Sequence, residues 1–371
     1  MSKTSLKPNI KRELWYRAHG RCEFNGCNKR LDLHGVTFDT CNLSNAAHII
    51  GDSSNGPRGD KELSSKLAAD INNLMLMCPE CHKYIDHEGK DKYDVETLRR
   101  MKKEHEDRIE MLADIAPNRK SLVVFCGPKI GHDEPVLNKN DAFEAILPDY
   151  YPSEPDPVRI EMKDCVLDDT QKIYWKVQTQ QLETRCKEEV LRKAVKTNHI
   201  SLFALGPQPL LVKLGTLLGD IHEVDVFQKH REPSSWKWQD TETENHINVI
   251  PPKDTNKTPV LVFALSSANI ISRVERRFGD SASIWVVSCE TPGNDMLKSK
   301  EQLEEFRTKV RAVLDTINAN AEGKDLHVFM AMPVACAVEF GRVRMKKADI
   351  PWVLYDYQRC SETDIETFKI E

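Results

Sequence analysis

No run of eighteen apolar residues occurs in the 371-residue chain, so the length of apolar helix needed to cross a bilayer is missing. The opening stretch "MSKTSLKPNIKREL" also lacks the apolar core of a secretory leader. A cytoplasmic protein with no membrane partner is expected. There is no G-x-x-x-x-G-K-[ST] loop, and no G-x-G-x-x-G follows a strand-like run, which removes the usual support for ATP or dinucleotide cofactors. An excess of positive charge is absent as well, with 53 Lys and Arg against 58 Asp and Glu.

Cysteine, by contrast, is plentiful. Eleven cysteines in a chain of cytosolic character point to thiols or metal ligands, because reducing compartments do not preserve disulfides. The length exceeds one ordinary core and implies two or three domains. Charge is unevenly spread: in the first thirty residues Lys3, Lys7, Lys11, Arg12, Arg17, Arg21, Lys29 and Arg30 face only Glu13 and Glu23. That excess suits either a phosphate backbone or an ordinary solvated helix face.

Composition changes near "ADIAPNRKS", residues 113–121. Before it, Leu98, Met101, Ile109 and Leu112 recur at close to helical spacing and predict one long helix, capped by Asp94 and ended before Pro117. After it, "SLVVFCG", "HISLFALG", "PVLVFALS", "ASIWVVSCE", "DLHVFMAM" and "PWVLYDYQ" alternate with helical patterns, which predicts parallel, helix-covered sheets and an α/β class. "YYPSEPDPVR" and the stretch from Glu232 to Lys257 are expected to be loops or insertions. The expected domains are 1–115 and 116–371.

Two junctions in the second domain echo each other. "FALGPQPLLVKLG" (203–215) and "FMAMPVACAVEFG" (329–341) share Phe, then Pro four residues on, then Gly eight further on. Each precedes another strand ending in Gln, at Gln228 and Gln358. The pattern predicts two copies of a strand, turn, helix, strand unit. Helix N-termini at Pro207 and Pro333 would then open at the carboxyl ends of neighbouring strands, where backbone N–H groups attract anions.

In the first domain Cys22 and Cys27 form a C-x4-C pair, and Cys78 and Cys81 a C-x2-C pair. Four thiolates in two knuckles close a tetrahedral Zn²⁺ site with no open position, so that zinc would be structural. Cys41 is left over as a small core residue. His82 and Asp86, spaced i, i+4, share a helix face, whereas His87 falls off it.

The segments "AAHII" and "NNLMLMCPECHKYID", with Asn73 five residues before Cys78, resemble the His-Asn-His (HNH, ββα-metal) endonuclease motif in its zinc-knuckle form over residues 10–95. The resemblance implies a hairpin packed on a helix around one divalent ion, taken to be Mg²⁺. It makes His48 the base that activates water, Asn73 a residue that orients the loop or approaches the ion, and His82 a metal ligand, with Asp86 a second ligand. Many members carry Asp immediately before the base histidine; this chain has Ala47, so Asp86, Asn73 or water would complete the shell.

The module order and the two echoing junctions resemble a SAVED domain, a fused pair of Rossmann-like α/β units, over residues 120–371. The resemblance implies an HNH–SAVED effector of anti-phage signalling that binds a cyclic di- or trinucleotide. Binding would drive a homo-oligomer, a dimer assembling to a tetramer or higher, to cut double-stranded DNA. Ligand contacts are sought at Pro207, Gln208 and Pro333, with Trp236 or Trp238 for stacking and Lys213 or Arg231 for charge. Two other readings remain: a restriction-type nuclease whose second domain reads modified DNA, and a catalytically silent DNA-binding sensor.

Overall fold

The computed structural model describes residues 4–129, 135–160, 162, 167–239, 245–358 and 361–371. They fall into two units, Met1–Ala116 and Pro117–Glu371.

The first unit is built on a short antiparallel pair, Asn45–His48 beside Leu74–Met77, with His48 opposite Leu74 and Asn45 opposite Met77. All four residues of Leu74–Met77 are buried, so this strand is covered on both faces. The helix Pro8–Arg17 packs there through Leu14, and the helix Pro79–Asp86 through Ile85. Pro79 follows Cys78, which caps the second helix by accepting from the Cys81 amide; proline is well placed at a first helical position, where its missing N–H leaves nothing unpaired.

The long helix Val95–Ala113 starts where Asp94 accepts from the Thr97 amide at 2.8 Å. It buries Leu98 and Met101, but also Lys102 and His105. Lys102 pairs with Glu106 at 2.6 Å and lies 3.9 Å from Glu23. His105 Nε2 lies 3.1 Å from the Ala18 carbonyl.

The second unit holds two sheets. In one, Tyr151–Pro152, Lys120–Cys126, His199–Ala204 and Glu223–Phe227 lie in that order, with Val158–Ile160 also paired to Lys120–Cys126; every pairing is parallel. The other runs Thr363–Ile370, Trp352–Gln358, Leu326–Ala331, Thr258–Ala264, Ala282–Cys289, Ile247–Ile250. Its inner four strands are parallel, and both edge strands are antiparallel. The edges correct the all-parallel expectation. Short strands likewise occupy parts of both segments expected to be loops, because edge strands are half-exposed and polar enough to read as turns.

The echo between the two junctions is structural. Phe203 stacks on Phe227 at 4.4 Å and 12°, and Phe329 stacks on Tyr355 at 4.2 Å and 9°. The helices that follow, Gln208–Leu218 and Val334–Arg342, cross at Gly215 and Gly341. A methyl group on Gly215 would overlap the Val338 carbonyl, and one on Gly341 would overlap the Val212 carbonyl. The contact is reciprocal, as expected for two copies related by a local two-fold axis. Both helices lie in one apolar cluster with residues of both sheets.

Candidate functional site

The four cysteines come together. Cys22 and Cys27 flank a turn in which Gly26 has φ +81°, a left-handed conformation that glycine tolerates. Cys78 and Cys81 lie at the start of the helix Pro79–Asp86. All four sulfurs lie within 4.8 Å of one another, and tetrahedral zinc with Zn–S near 2.3 Å requires S···S of about 3.8 Å. Backbone amides already face the sulfurs: Cys78 N–H donates to Cys22 Sγ at 3.3 Å and Cys81 N–H to Cys78 Sγ at 3.4 Å. Burial pushes the Cys22 thiol up to about 12. The Cys78 thiol is pulled down against its burial by hydrogen bonds from the Cys81 amide and from the neighbouring thiols. A bound divalent cation would hold all four as thiolates. The donor set fits structural zinc, and Cys41 lies outside it.

His48 ends its strand and is 8 % exposed. Its Nε2 is 2.9 Å from the Ala68 carbonyl oxygen. A carbonyl only accepts, so Nε2 is the donor in this contact. Asn73, 3 % exposed, uses its whole amide on backbone: Nδ2 donates to Ile50 O and Leu67 O at 3.0 and 3.2 Å, and Oδ1 accepts from Ile50 N at 2.8 Å. Those bonds pin the chain just beyond His48.

His82 Nε2 and Asp86 Oδ2 are 3.3 Å apart on one helix face. The other Asp86 oxygen receives Arg58 Nη2 at 2.7 Å. Although burial opposes ionisation, the His82 ring and the Arg58 guanidinium hold the Asp86 carboxyl below its ordinary value.

Arg58 was not singled out from the sequence. Its side chain is 6 % exposed, and it donates to the carbonyls of Ile49 at 2.9 Å, Ile85 at 2.7 Å and His48 at 3.2 Å besides Asp86. One guanidinium thus ties the strand bearing His48 to the helix bearing His82. The only hint is "NGPRG", an arginine between turn-forming residues in the segment joining His48 to Asn73. For a catalytic ion the described residues bring together just the His82–Asp86 pair; among them, the four cysteines are the only group of three or more clustered ligand side chains.

In the second unit Pro207 and Pro333 are the residues from which the crossing helices start. Gln208 Nε2 reaches the Met332 carbonyl of the other copy at 3.0 Å, and Gln228 Oε1 accepts from Ala335 N at 3.2 Å. Both bonds run from side chains of the first copy to the turn of the second. Two expected contacts need correction. Trp236 is 2 % exposed and packs edge-on against Phe203 at 5.2 Å, so its ring is core and has no face for a base. Lys213 is paired with Glu183 at 2.5 Å. Trp238 is half-buried beside the His230 ring at 5.9 Å, and Arg231 is exposed with its amide on Asp295 at 3.0 Å. His230, 1 % exposed, has no partner on either ring nitrogen, and burial lowers its basicity.

The second unit is thus a pair of α/β halves that share a helix crossing, with two helix N-termini beginning at strand ends. The family described as SAVED, "SMODS-associated and fused to various effectors sensor domain", matches residues 182–370. The chain belongs to that family. Among solved structures, an Acinetobacter baumannii Cap4 SAVED/CARF-domain receptor with the cyclic trinucleotide 3'3'3'-cAAA is 12% identical, covering 84% of this chain and 67% of that one with a TM-score of 0.44. The same receptor with 2'3'3'-cAAA is 11% identical, with 83% and 66% covered and a TM-score of 0.45. A Moraxella osloensis Cap4 receptor is 10% identical, with 84% and 72% covered and a TM-score of 0.42. No curated protein matches the chain. No helix among the described residues is long and apolar enough to cross a membrane.

Proposed function

We propose that the chain is a DNA endonuclease switched on by a cyclic di- or trinucleotide in anti-phage defence, with residues up to 116 cutting and the SAVED unit sensing. The observation that carries the nuclease half is the His48 ring, whose Nε2 is engaged by Ala68 O, so that in the neutral ring Nδ1 is the nitrogen left to accept a proton. An imidazole held in that tautomer takes a proton from water near neutral pH. Asn73 fixes the backbone after His48, and Arg58 fixes His48 relative to Asp86. His82 and Asp86 would hold a Mg²⁺ ion whose remaining positions are water or phosphate oxygen. Such an ion supplies charge stabilisation for the phosphodiester. Zinc in the four-cysteine site would be structural.

The sensing half is supported by membership of a sensor-domain family and by the two helix starts opposed across the Gly215/Gly341 crossing, which suit phosphates of a small ring. A ligand that binds the competent assembly better than the free chain shifts the population toward it, and a homo-oligomer would gain DNA affinity by avidity.

Plasmid nicking with Mg²⁺ and a panel of cyclic di- and trinucleotides tests the reading. Cutting is expected only with an active nucleotide, and His48→Ala is expected to lower it by about 10²–10⁴-fold. Ligand-independent cutting of modified DNA would instead support a restriction-type enzyme, and no cutting under any condition a silent sensor. The active nucleotide is also expected to raise the melting temperature of the purified chain.

A further inference from the structure

Two cavities flank the helix Pro8–Arg17, sharing Arg12 and Trp15 in their linings, and their charge differs. The larger, about 1030 Å³, matches four arginines with Asp32, Glu106, Glu110 and Asp114. The smaller, about 690 Å³, is lined by Lys11, Arg12 and Lys83 together with His82 and Asp86. Asp86 is its one carboxylate, and it is already held by Arg58 and His82. Lys11, Arg12 and Lys83 are exposed, and none of their side chains has a hydrogen bond or ion pair among the described residues. Other cations of the unit are partnered, Arg17 by Glu13 at 2.5 Å, Arg30 by Asp32 at 2.6 Å and Lys103 by Asp107 at 2.6 Å, while exposed ones without a partner among the described residues, such as Lys61, Lys66 and Arg99, do not line this cleft. Three uncompensated cations therefore converge on the one cleft that also contains His82.

We propose that this cleft is the surface on which the DNA backbone lies, with Lys11, Arg12 and Lys83 each contacting a phosphate of the strand presented to His82. The inference rests on the nuclease reading for the identity of the polyanion, but its test does not depend on cleavage. Cations already paired to carboxylates release few counterions on binding DNA, whereas free ones contribute fully, about 0.9 to the salt slope per phosphate contacted.

The experiment uses the full-length His48→Ala chain, a fluorescent DNA duplex, no added divalent metal, and binding measured over a series of KCl concentrations. Substituting Lys11→Gln, Arg12→Gln and Lys83→Gln together is expected to make the slope of log K against log[KCl] shallower by about 2.7. Removing the same charge at the paired positions, Arg17→Gln, Arg30→Gln and Lys103→Gln, is expected to change it by less than about 1. Equal slopes for the two triples, or no duplex binding by the parent, overturn the proposal. Five of the six side chains are exposed and Arg17 is half-buried; Lys83→Gln alone, with an expected change of about 0.9, gives a second reading if either triple melts early. A wild-type chain that cuts DNA with an unaltered slope in the cleft triple would reject the cleft and leave the nuclease standing. Loss of slope without cutting would do the reverse.

Discussion

Arg58 makes four hydrogen bonds to its own protein, three of them to main-chain carbonyls. Its planar fork matches that geometry and a lysine ammonium does not, so Arg58→Lys is expected to behave like Arg58→Ala. Either should destabilise the first unit by about 2–4 kcal/mol through the unpaired Asp86 and orphaned carbonyls, with denaturant unfolding as the measurement. A second residue predicts a pH dependence. Asp356 is pushed up to about 7 by burial and by the carboxylates of Asp169 and Asp364. The folded state holds its proton more tightly than the unfolded chain, so the stabilisation is complete below about pH 4 and is lost as pH rises through about 7. Asp356→Asn should match the parent in acid and exceed it at pH 8 by on the order of 2 kcal/mol, about 5 °C in calorimetry. At this scale the sequence is only partly legible. Ligand spacing in Cys22, Cys27, Cys78 and Cys81 is local and shows directly. The tautomer of His48 depends on a carbonyl twenty residues away, and Arg58 works through main-chain oxygens that carry no sequence signature.

Elements were legible where burial was two-sided. The six apolar runs of the second unit form strands because a parallel sheet covered on both faces needs continuous apolar sequence. Ile247–Ile250 and Thr363–Ile370 were missed: they sit at sheet edges, and their burial alternates only weakly. Trp236 was misassigned for a related reason, since aromatics beside a turn serve core and ligand equally well. The Gly215/Gly341 crossing yields a prediction at this level. Gly215→Ala and Gly341→Ala should each cost about 1–3 kcal/mol or more, because backbone opposes the added methyl and no rotamer relieves it. The double variant should cost less than the sum, since the first substitution already separates the helices; a double-mutant cycle in urea reads the shortfall.

The whole molecule carries its stabilising devices unequally. The first unit has a two-stranded pair and a modest apolar cluster, and structural zinc in comparable small modules supplies about 10–16 kcal/mol of apparent binding energy. A strong chelator is expected to release one zinc per chain and expose residues up to 116 to protease, while the SAVED unit, with its two sheets, stays resistant. Fragment masses from limited proteolysis check this. The reciprocal helix crossing has a further consequence, for substitutions. Two halves that each press a bare backbone against the other are not independent there, so a bulky substitution in either copy displaces the helix of its partner as well. The rest of each half is free of that constraint, and there the two differ: among the described residues one sheet is bordered by antiparallel strands and the other pairs only in parallel.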